Sequence, residues 1–256
     1  VPSTLNNRAF WDSPDGVERA RSYDSGLRAL DELAIQSAVK NSIRPKQRIL
    51  DAGCGTGGLA RRLALAHPSY TVEGIDQSTA MIAATNAEGC ARLSFRQQDL
   101  LDLMDQPEQY DLIYTQQVII NFPTWAEQRE ALLAIATALK PNGRYLMCES
   151  IKEGLDAINR TRKWVGLSEI VPPAMARYLW TSQLDRLQVG LLNSHREPFS
   201  SEYYFISRVV NAWLALCEGK DPNYDAQVNH LGMTLPAGVV SDTFAQTQLW
   251  TWQKEF

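Results

Sequence analysis

Histidine is scarce in this 256-residue chain, which contains only His67, His195 and His230. That leaves few side chains for histidine-based proton transfer. Cysteine is scarce too: Cys54, Cys90, Cys148 and Cys217 form no Cys-x-x-Cys pair, and their spacing fits neither a zinc site nor a dense disulfide scaffold. Reduced thiols and no bound metal are expected. No stretch reaches the roughly 18 apolar residues that a membrane span requires. Residues 1–10 are polar and lack the apolar run of a secretory signal, so a cytoplasmic location without a membrane partner is expected. Positive charge is not in excess: 25 Lys and Arg stand against 29 Asp and Glu. Nucleic-acid binding draws on basic surfaces that displace counterions, so no nucleic-acid partner is expected. The remaining composition, 45% hydrophobic and 21% charged, is that of a globular chain long enough for one large domain with a cap.

Apolar residues follow a helical period over 26–41, where Leu27, Leu30, Leu33, Ala34 and Ala38 share a face. Strands are read at 48–50, 70–75, 93–98, 111–115 and 144–148. Between them lie helices at 59–66, from the Ser78 cap to Gly89, and from the Thr124-x-x-Glu127 capping box to Pro141. Alternating strands and helices imply a parallel sheet covered on both faces. Beyond Ser150 a helix is read at 154–166 and strands at 191–199 and 249–253. An amphipathic helix at 203–218 carries Ile206, Val210, Trp213, Leu214 and Cys217 on one stripe. The expected architecture is α/β: a seven-stranded, mostly parallel sheet with helices on both faces. N-terminal helices and the core sheet occupy 1–150. The rest of the sheet and a helical substrate cap, about 200–245, occupy 151–256, the whole forming one structural domain.

One loop carries the chemistry. Asp51-Ala52-Gly53-Cys54-Gly55-Thr56-Gly57-Gly58 joins the first strand to the first helix of that alternation. Its Gly-x-Gly-x-x-Gly spacing satisfies the dinucleotide fingerprint, so the glycines alone leave an NAD(P)-dependent oxidoreductase open. In either case they permit a tight turn and close backbone approach at a helix N-terminus. Asp51 discriminates. A carboxylate there repels a pyrophosphate and suits the ammonium of an amino-acid moiety.

With that residue in place, the segment resembles the first motif of the class I, Rossmann-like methyltransferases that use S-adenosylmethionine. Four further segments follow in the family's order: Asp76 at the second strand end, Gln98-Asp99-Leu100 at the third, Asp111 to Gln116 along the fourth, and Leu139-Lys140-Pro141-Asn142-Gly143 before the fifth. The resemblance covers about residues 45–150. It implies S-adenosyl-L-methionine as cofactor, S-adenosyl-L-homocysteine as product, and no metal. It places Asp51, Gly53, Gly55 and Gly57 around the methionine part, with Gln116 beneath it. Asp76 and Gln77 fall at the ribose, and Met81, Asp99 and Leu100 at the adenine. Tyr23 and Arg28 close over the methionine carboxylate. The ribose role has an independent basis, since one carboxylate accepts two hydrogen bonds from a vicinal diol. Asp76 and Asp99 also suit simple strand-end caps, and Met81 a core position.

Methyl transfer from a sulfonium needs orientation and a dry site, and a general base only when the nucleophile arrives protonated. Glu149, His195 and His230 are the candidate bases. Asn121, Tyr178, Tyr203 and Tyr204 are candidate pocket residues. Residues 115–123 lack the Asp/Asn-Pro-Pro-aromatic box of enzymes acting on exocyclic base amines, and no Pro-Cys nucleophile is present. A small-molecule acceptor is therefore expected, with oxygen favoured over nitrogen or carbon. A module that binds the cofactor without catalysis remains an alternative. Asn159-Arg160-Thr161-Arg162-Lys163 reads as a solvated helix face, or as a contact for an anionic or sugar substrate. Monomer and homodimer are both open.

Overall fold

The computed structural model describes residues 7–22 and 24–255. Three helices, α1 (Asn7–Trp11), α2 (Pro14–Ser22) and α3 (Ser25–Ser42), precede the sheet. Then follow β1 (Arg48–Ala52), α4 (Gly58–Ala66), β2 (Thr71–Asp76), α5 (Thr79–Ala83), β3 (Leu93–Gln97), β4 (Tyr110–Gln116), α6 (Trp125–Ala138), β5 (Leu139–Ser150), α7 (Lys152–Trp164), α8 (Thr181–Leu184) and β6 (Leu191–Glu197). Helices α9 (Ser201–Phe205), α10 (Asn211–Cys217) and α11 (Gln227–Thr234) separate β6 from β7 (Thr247–Lys254).

The strand order is β3-β2-β1-β4-β5-β7-β6. Strands β1 to β5 pair in parallel, and β7 runs antiparallel between β5 and β6. The seven-stranded, mostly parallel sheet expected from the sequence is present, as is the helical insertion between the last two strands. Because successive side chains on a strand point to opposite faces, Leu146 and Cys148 of β5 join one core while Tyr145 and Met147 join the other. The first core is completed by Ile35 and Val39 of α3 and Leu59 and Leu63 of α4. The second is completed by Leu132 and Ile135 of α6. A third, smaller core joins Leu27 and Ile158 to Tyr203, Tyr204 and Val209 in the insertion.

Local signals place most helix ends. Thr124 Oγ1 accepts the Glu127 N–H at 3.2 Å, and the Glu127 carboxylate accepts the Thr124 N–H at 3.0 Å. Ser78 accepts the Met81 N–H at 3.1 Å. The helix that Ser78 opens stops at Ala83, short of Gly89. Thr85 turns its hydroxyl back to the Ile82 carbonyl and Asn86 accepts the Glu88 N–H, local bonds that compete with helix continuation. The stripe read at 203–218 is also only partly buried. A π-helical turn, Ile206–Val210, shifts the helical phase. Ser207, Arg208, Asn211 and Ala212 therefore face inward, while Trp213 is 45% exposed and Leu214 is 41% exposed. Among the described residues, no helix is long and apolar enough to cross a membrane.

Candidate active site

The strand order reverses between β1 and β4, which opens a crevice beyond the strands' carboxyl ends. A cavity of about 1360 Å³ lies there. Its floor is the loop from Gly53 to Gly57. Gly53 and Cys54 both donate to the Ile75 carbonyl at 2.8 Å, tying the loop to β2. Gly53 has φ +81°, and a Cβ there would lie 2.5 Å from Val118 Cγ2. Both the backbone conformation and the close approach require glycine. Gly55 has nothing within 4 Å of its missing Cβ and faces the cavity. Gly57 does not line the cavity. It packs against the Phe95 ring and donates to the Cys54 carbonyl at 2.9 Å, so it shapes the loop from beneath.

Acids stand at successive strand ends on this wall. Asp51 is 3% exposed. Burial pushes its carboxyl up to about 7, against the lowering effect of the Tyr114 hydroxyl, and Asp76 and Glu32 add repulsion. No cation contributes to that balance. Asp76 accepts the Gly55 N–H on one oxygen and the Ser78 N–H on the other, both at 2.9 Å. Burial still raises its pKa, with those two bonds opposing. Each oxygen keeps a further lone pair for a ligand. Gln77 and Met81 line the wall beside it. Gln98, Asp99 and Leu100 follow at the end of β3. Asp99 caps a 3₁₀ helix, Leu100–Asp105, by accepting the Leu101 N–H at 3.0 Å. Gln98 is buried, and among the described residues neither its side-chain oxygen nor its nitrogen has a hydrogen-bond partner. A buried polar group of this kind is costly unless a ligand satisfies it.

Helix α3 contributes Arg28 and Glu32, one turn apart, to the lining; Glu32 pairs with Arg62 of α4 and lies close enough to Asp51 to repel its charge. Trp11 reaches the cavity from α1, whose end is pinned to α5: Ser78 Oγ donates to the Trp11 carbonyl at 2.9 Å and Asp12 accepts the Thr79 N–H at 2.8 Å. Gln116, Gln117 and Asn121 enter from the end of β4. Gln117 has φ +56°, an uncommon backbone state for a residue other than glycine. It is held by its N–H to the Cys148 carbonyl at 2.9 Å and by the Ser150 hydroxyl on its Oε1 at 2.8 Å. A strap from Pro173 to Tyr178 closes the far side.

Several expected residues lie elsewhere. Glu149 is fully buried outside the cavity and accepts the backbone N–H groups of Val118, Ile119 and Ile120 at 2.9, 3.0 and 3.4 Å. Burial raises its carboxyl to about 7 despite those bonds. It anchors the turn after β4, with its carboxylate turned to those backbone groups and to the Thr115 hydroxyl. His195 sits on β6, the edge strand farthest from the crevice, and His230 is exposed on α11. Neither borders the cavity. Tyr203 and Tyr204 belong to the third core and do not line the cavity. Tyr203 donates to Asp24 Oδ1 at 2.5 Å, and Tyr204 pairs with Thr247 Oγ1 at 3.1 Å. Their apolar rings and hydroxyls are both satisfied in the interior. Tyr23 lies outside the described residues. In the basic segment on α7, Arg162 is buried against the Ser168 and Arg208 carbonyls, so that face is not wholly solvated. No group of three or more acidic, histidine or cysteine side chains suited to a metal occurs among the described residues.

Sequence reasoning does not single out Trp11, Glu32, Gln117 or the strap residues Met175 and Arg177, which also line the cavity. Gln98 is read only as part of the Gln98-Asp99-Leu100 segment, without a role of its own.

Residues 49–143 match the family model described as "Methyltransferase domain". A trans-aconitate 2-methyltransferase from Deinococcus radiodurans is 35% identical over 39% of this chain and 36% of its own length. The chain thus spans little more than a third of that curated relative. A ubiquinone biosynthesis O-methyltransferase from Xanthomonas campestris is 25% identical over 69% of the chain and 67% of that protein. The crystal structure of magnesium protoporphyrin IX methyltransferase from Synechocystis PCC 6803, with bound S-adenosylhomocysteine, superposes with a TM-score of 0.62. It is 18% identical and covers 97% of this chain and 98% of that one, a likeness of fold.

Proposed function

We propose, from the premise that residues 49–143 are a class I methyltransferase domain, that the chain binds S-adenosylmethionine in the crevice and methylates a small-molecule acceptor on oxygen. The observation that carries this reading is one continuous cavity, lined both by the strand-end acids Asp51, Asp76 and Asp99 and by the strap from Pro173 to Tyr178. Its volume of about 1360 Å³ exceeds the roughly 300–1,000 Å³ of a one-ligand pocket.

The residues present fit the cofactor. Asp51 is a buried carboxyl without a cation, which an α-ammonium would supply. Asp76 keeps lone pairs for two ribose hydroxyls, and the unpartnered Gln98 amide awaits a polar ring edge beside Asp99. Met81 is 2% exposed and offers an apolar surface to a flat base. When bound, the cofactor supplies an electrophilic methyl on a sulfonium. The protein's part is to hold the acceptor in line and exclude water. Pro123, Pro173 and Met175 give the far side an apolar lining. One relative is named as an O-methyltransferase, which supports oxygen as the receiving atom.

Calorimetry with S-adenosylhomocysteine and, separately, NAD tests the cofactor. Tight binding of the first and none of the second is expected, and the reverse overturns the reading. An acceptor screen by mass spectrometry tests transfer. A mass gain of one methylene on an oxygen is expected, and binding without transfer to any acceptor would leave a non-catalytic module.

A further inference from the structure

The acceptor half of the cavity carries a cation with no acid to meet it. We propose that the acceptor is a small carboxylic acid whose carboxylate is received by Arg177, and that this carboxylate takes the methyl group. The inference rests on the methyl-transfer reading above.

Arg177 lies in the strap and lines the cavity. Its position is fixed by its backbone: its N–H donates to the Ile120 carbonyl at 2.7 Å, and its carbonyl accepts from Gln128 Nε2 at 2.7 Å. Its guanidinium is fixed by neutral partners. Nη1 donates to Gln128 Oε1 at 2.5 Å, and Nη1 and Nη2 share Gln183 Oε1 at 3.4 and 3.3 Å. Among the described residues, no carboxylate lies within ion-pair distance of it. Partial burial disfavours its charge, with nothing offsetting. A guanidinium has five N–H groups in a rigid plane, and these bonds use both on Nη1 and one on Nη2. The Nε–H and the second Nη2–H remain. They share one edge of the plane, the fork that a carboxylate fills with two parallel bonds.

Among the described residues, the same half offers no free base. Asp51, Asp76 and Asp99 lie at the strand ends assigned to the cofactor, Glu32 pairs with Arg62 and sits close enough to Asp51 to repel it, and Glu149 is turned to backbone. The Tyr178 hydroxyl accepts from Gln246 Nε2 at 3.0 Å. A carboxylic acid is already ionised near neutral pH, so it needs none. An oxygen lone pair forms the O–CH3 bond as the S–CH3 bond breaks. That bonding pair stays on sulfur, and no proton moves. The products are a methyl ester and S-adenosylhomocysteine. Apolar Phe122, Pro123 and Met175 beside Arg177 suit an acid with an apolar body.

The test titrates the S-adenosylhomocysteine complex with cinnamate, phenylacetate, succinate and citrate, each beside the corresponding amide. Turnover with S-adenosylmethionine is then followed by mass spectrometry before and after mild alkali. Acids are expected to bind about tenfold or more tighter than amides, and the added methyl to be released by alkali. Arg177→Gln should erase the acid preference while leaving S-adenosylhomocysteine affinity unchanged, with some fall in melting temperature from the lost bonds to Gln128 and Gln183. Arg177→Lys, which keeps charge without the fork, should retain part of it and guards against a strap loosened by the first variant. Equal binding of acids and amides, a preference that survives Arg177→Gln, or an alkali-stable methyl would each overturn the proposal. Failure of the wild type to bind S-adenosylhomocysteine at all would instead remove the methyl-transfer reading on which it stands.

Discussion

Replacing Glu149 by Gln should produce a stability difference that reverses with pH. In the wild type, one carboxylate oxygen accepts the Val118 and Ile119 N–H groups, and the other accepts the Ile120 N–H at a longer 3.4 Å. Glutamine can keep the first two bonds on its single carbonyl oxygen. Its amide nitrogen then faces the Ile120 N–H, donor against donor, at a cost of about 1–2 kcal/mol. Against this stands the ionisation of the acid. Burial raises the folded pKa from 4.5 to about 7, so between those values the unfolded chain is ionised while the folded chain holds a proton. Stability from this group is therefore complete below about 4.5 and is lost as pH rises through 7, at up to about 1.4 kcal/mol per unit. Glutamine has no such dependence. From pH 5 to pH 8 the wild type should lose about 2–3 kcal/mol relative to the variant. It should lead by 1–2 kcal/mol at pH 5 and trail slightly at pH 8. Urea denaturation at the two pH values measures both differences. An advantage that stays constant or grows toward pH 8 would refute the burial argument. Turnover at saturating substrate should change less than a few-fold, because Glu149 does not border the cavity. A large loss with intact cofactor binding would return it to the role of base.

Two further outcomes follow from the loop. Asp51 must be ionised to hold an ammonium and has a pKa of about 7 in the free protein. Affinity for S-adenosylhomocysteine, read by calorimetry, should thus rise between pH 6 and 7.5 and become both weaker and flat in Asp51→Asn. A wild-type affinity that falls over that range would contradict the assignment. Gly53→Ala places a Cβ 2.5 Å from Val118 Cγ2 at φ +81°. It should lower stability by about 1–3 kcal/mol and cofactor affinity by an order of magnitude or more, and a variant indistinguishable in melting and binding would show that the loop is not tightly packed.

The fold, and the convergence of Asp51, Asp76 and Asp99 on one cavity, were legible because their signals are local. Asp51, Asp76 and Asp99 each end a strand within a few residues of a glycine or helix cap, so period and punctuation located them together. The strap side is assembled from distant segments. Arg177 comes to the cavity only because Leu179 bridges to Ile151 at the end of β5 and Arg177 itself bonds Ile120. No spacing rule connects residues 120, 151 and 177. Tyr203 and Tyr204 misled for a related reason. Two adjacent tyrosines suit a polar pocket, but Asp24 and Thr247, which satisfy their hydroxyls, lie 179 and 43 residues away in the chain. Glu149 looked catalytic by its place at a strand end. Its three backbone partners belong to a turn with no sequence signature of its own.

The contact between Gly53 and Val118 bears on how such a site can diverge. Val118 fills the space where a Gly53 side chain would stand, while its N–H is held by Glu149. The loop assigned to the cofactor and the loop leading to the acceptor are therefore one steric unit rather than two interchangeable parts. A transplanted acceptor loop should be accepted only if it brings a side chain of valine's bulk to position 118 and retains the carboxylate at 149. New substrate preferences are more cheaply reached through the strap at 173–178, which touches the acceptor side and leaves that unit undisturbed.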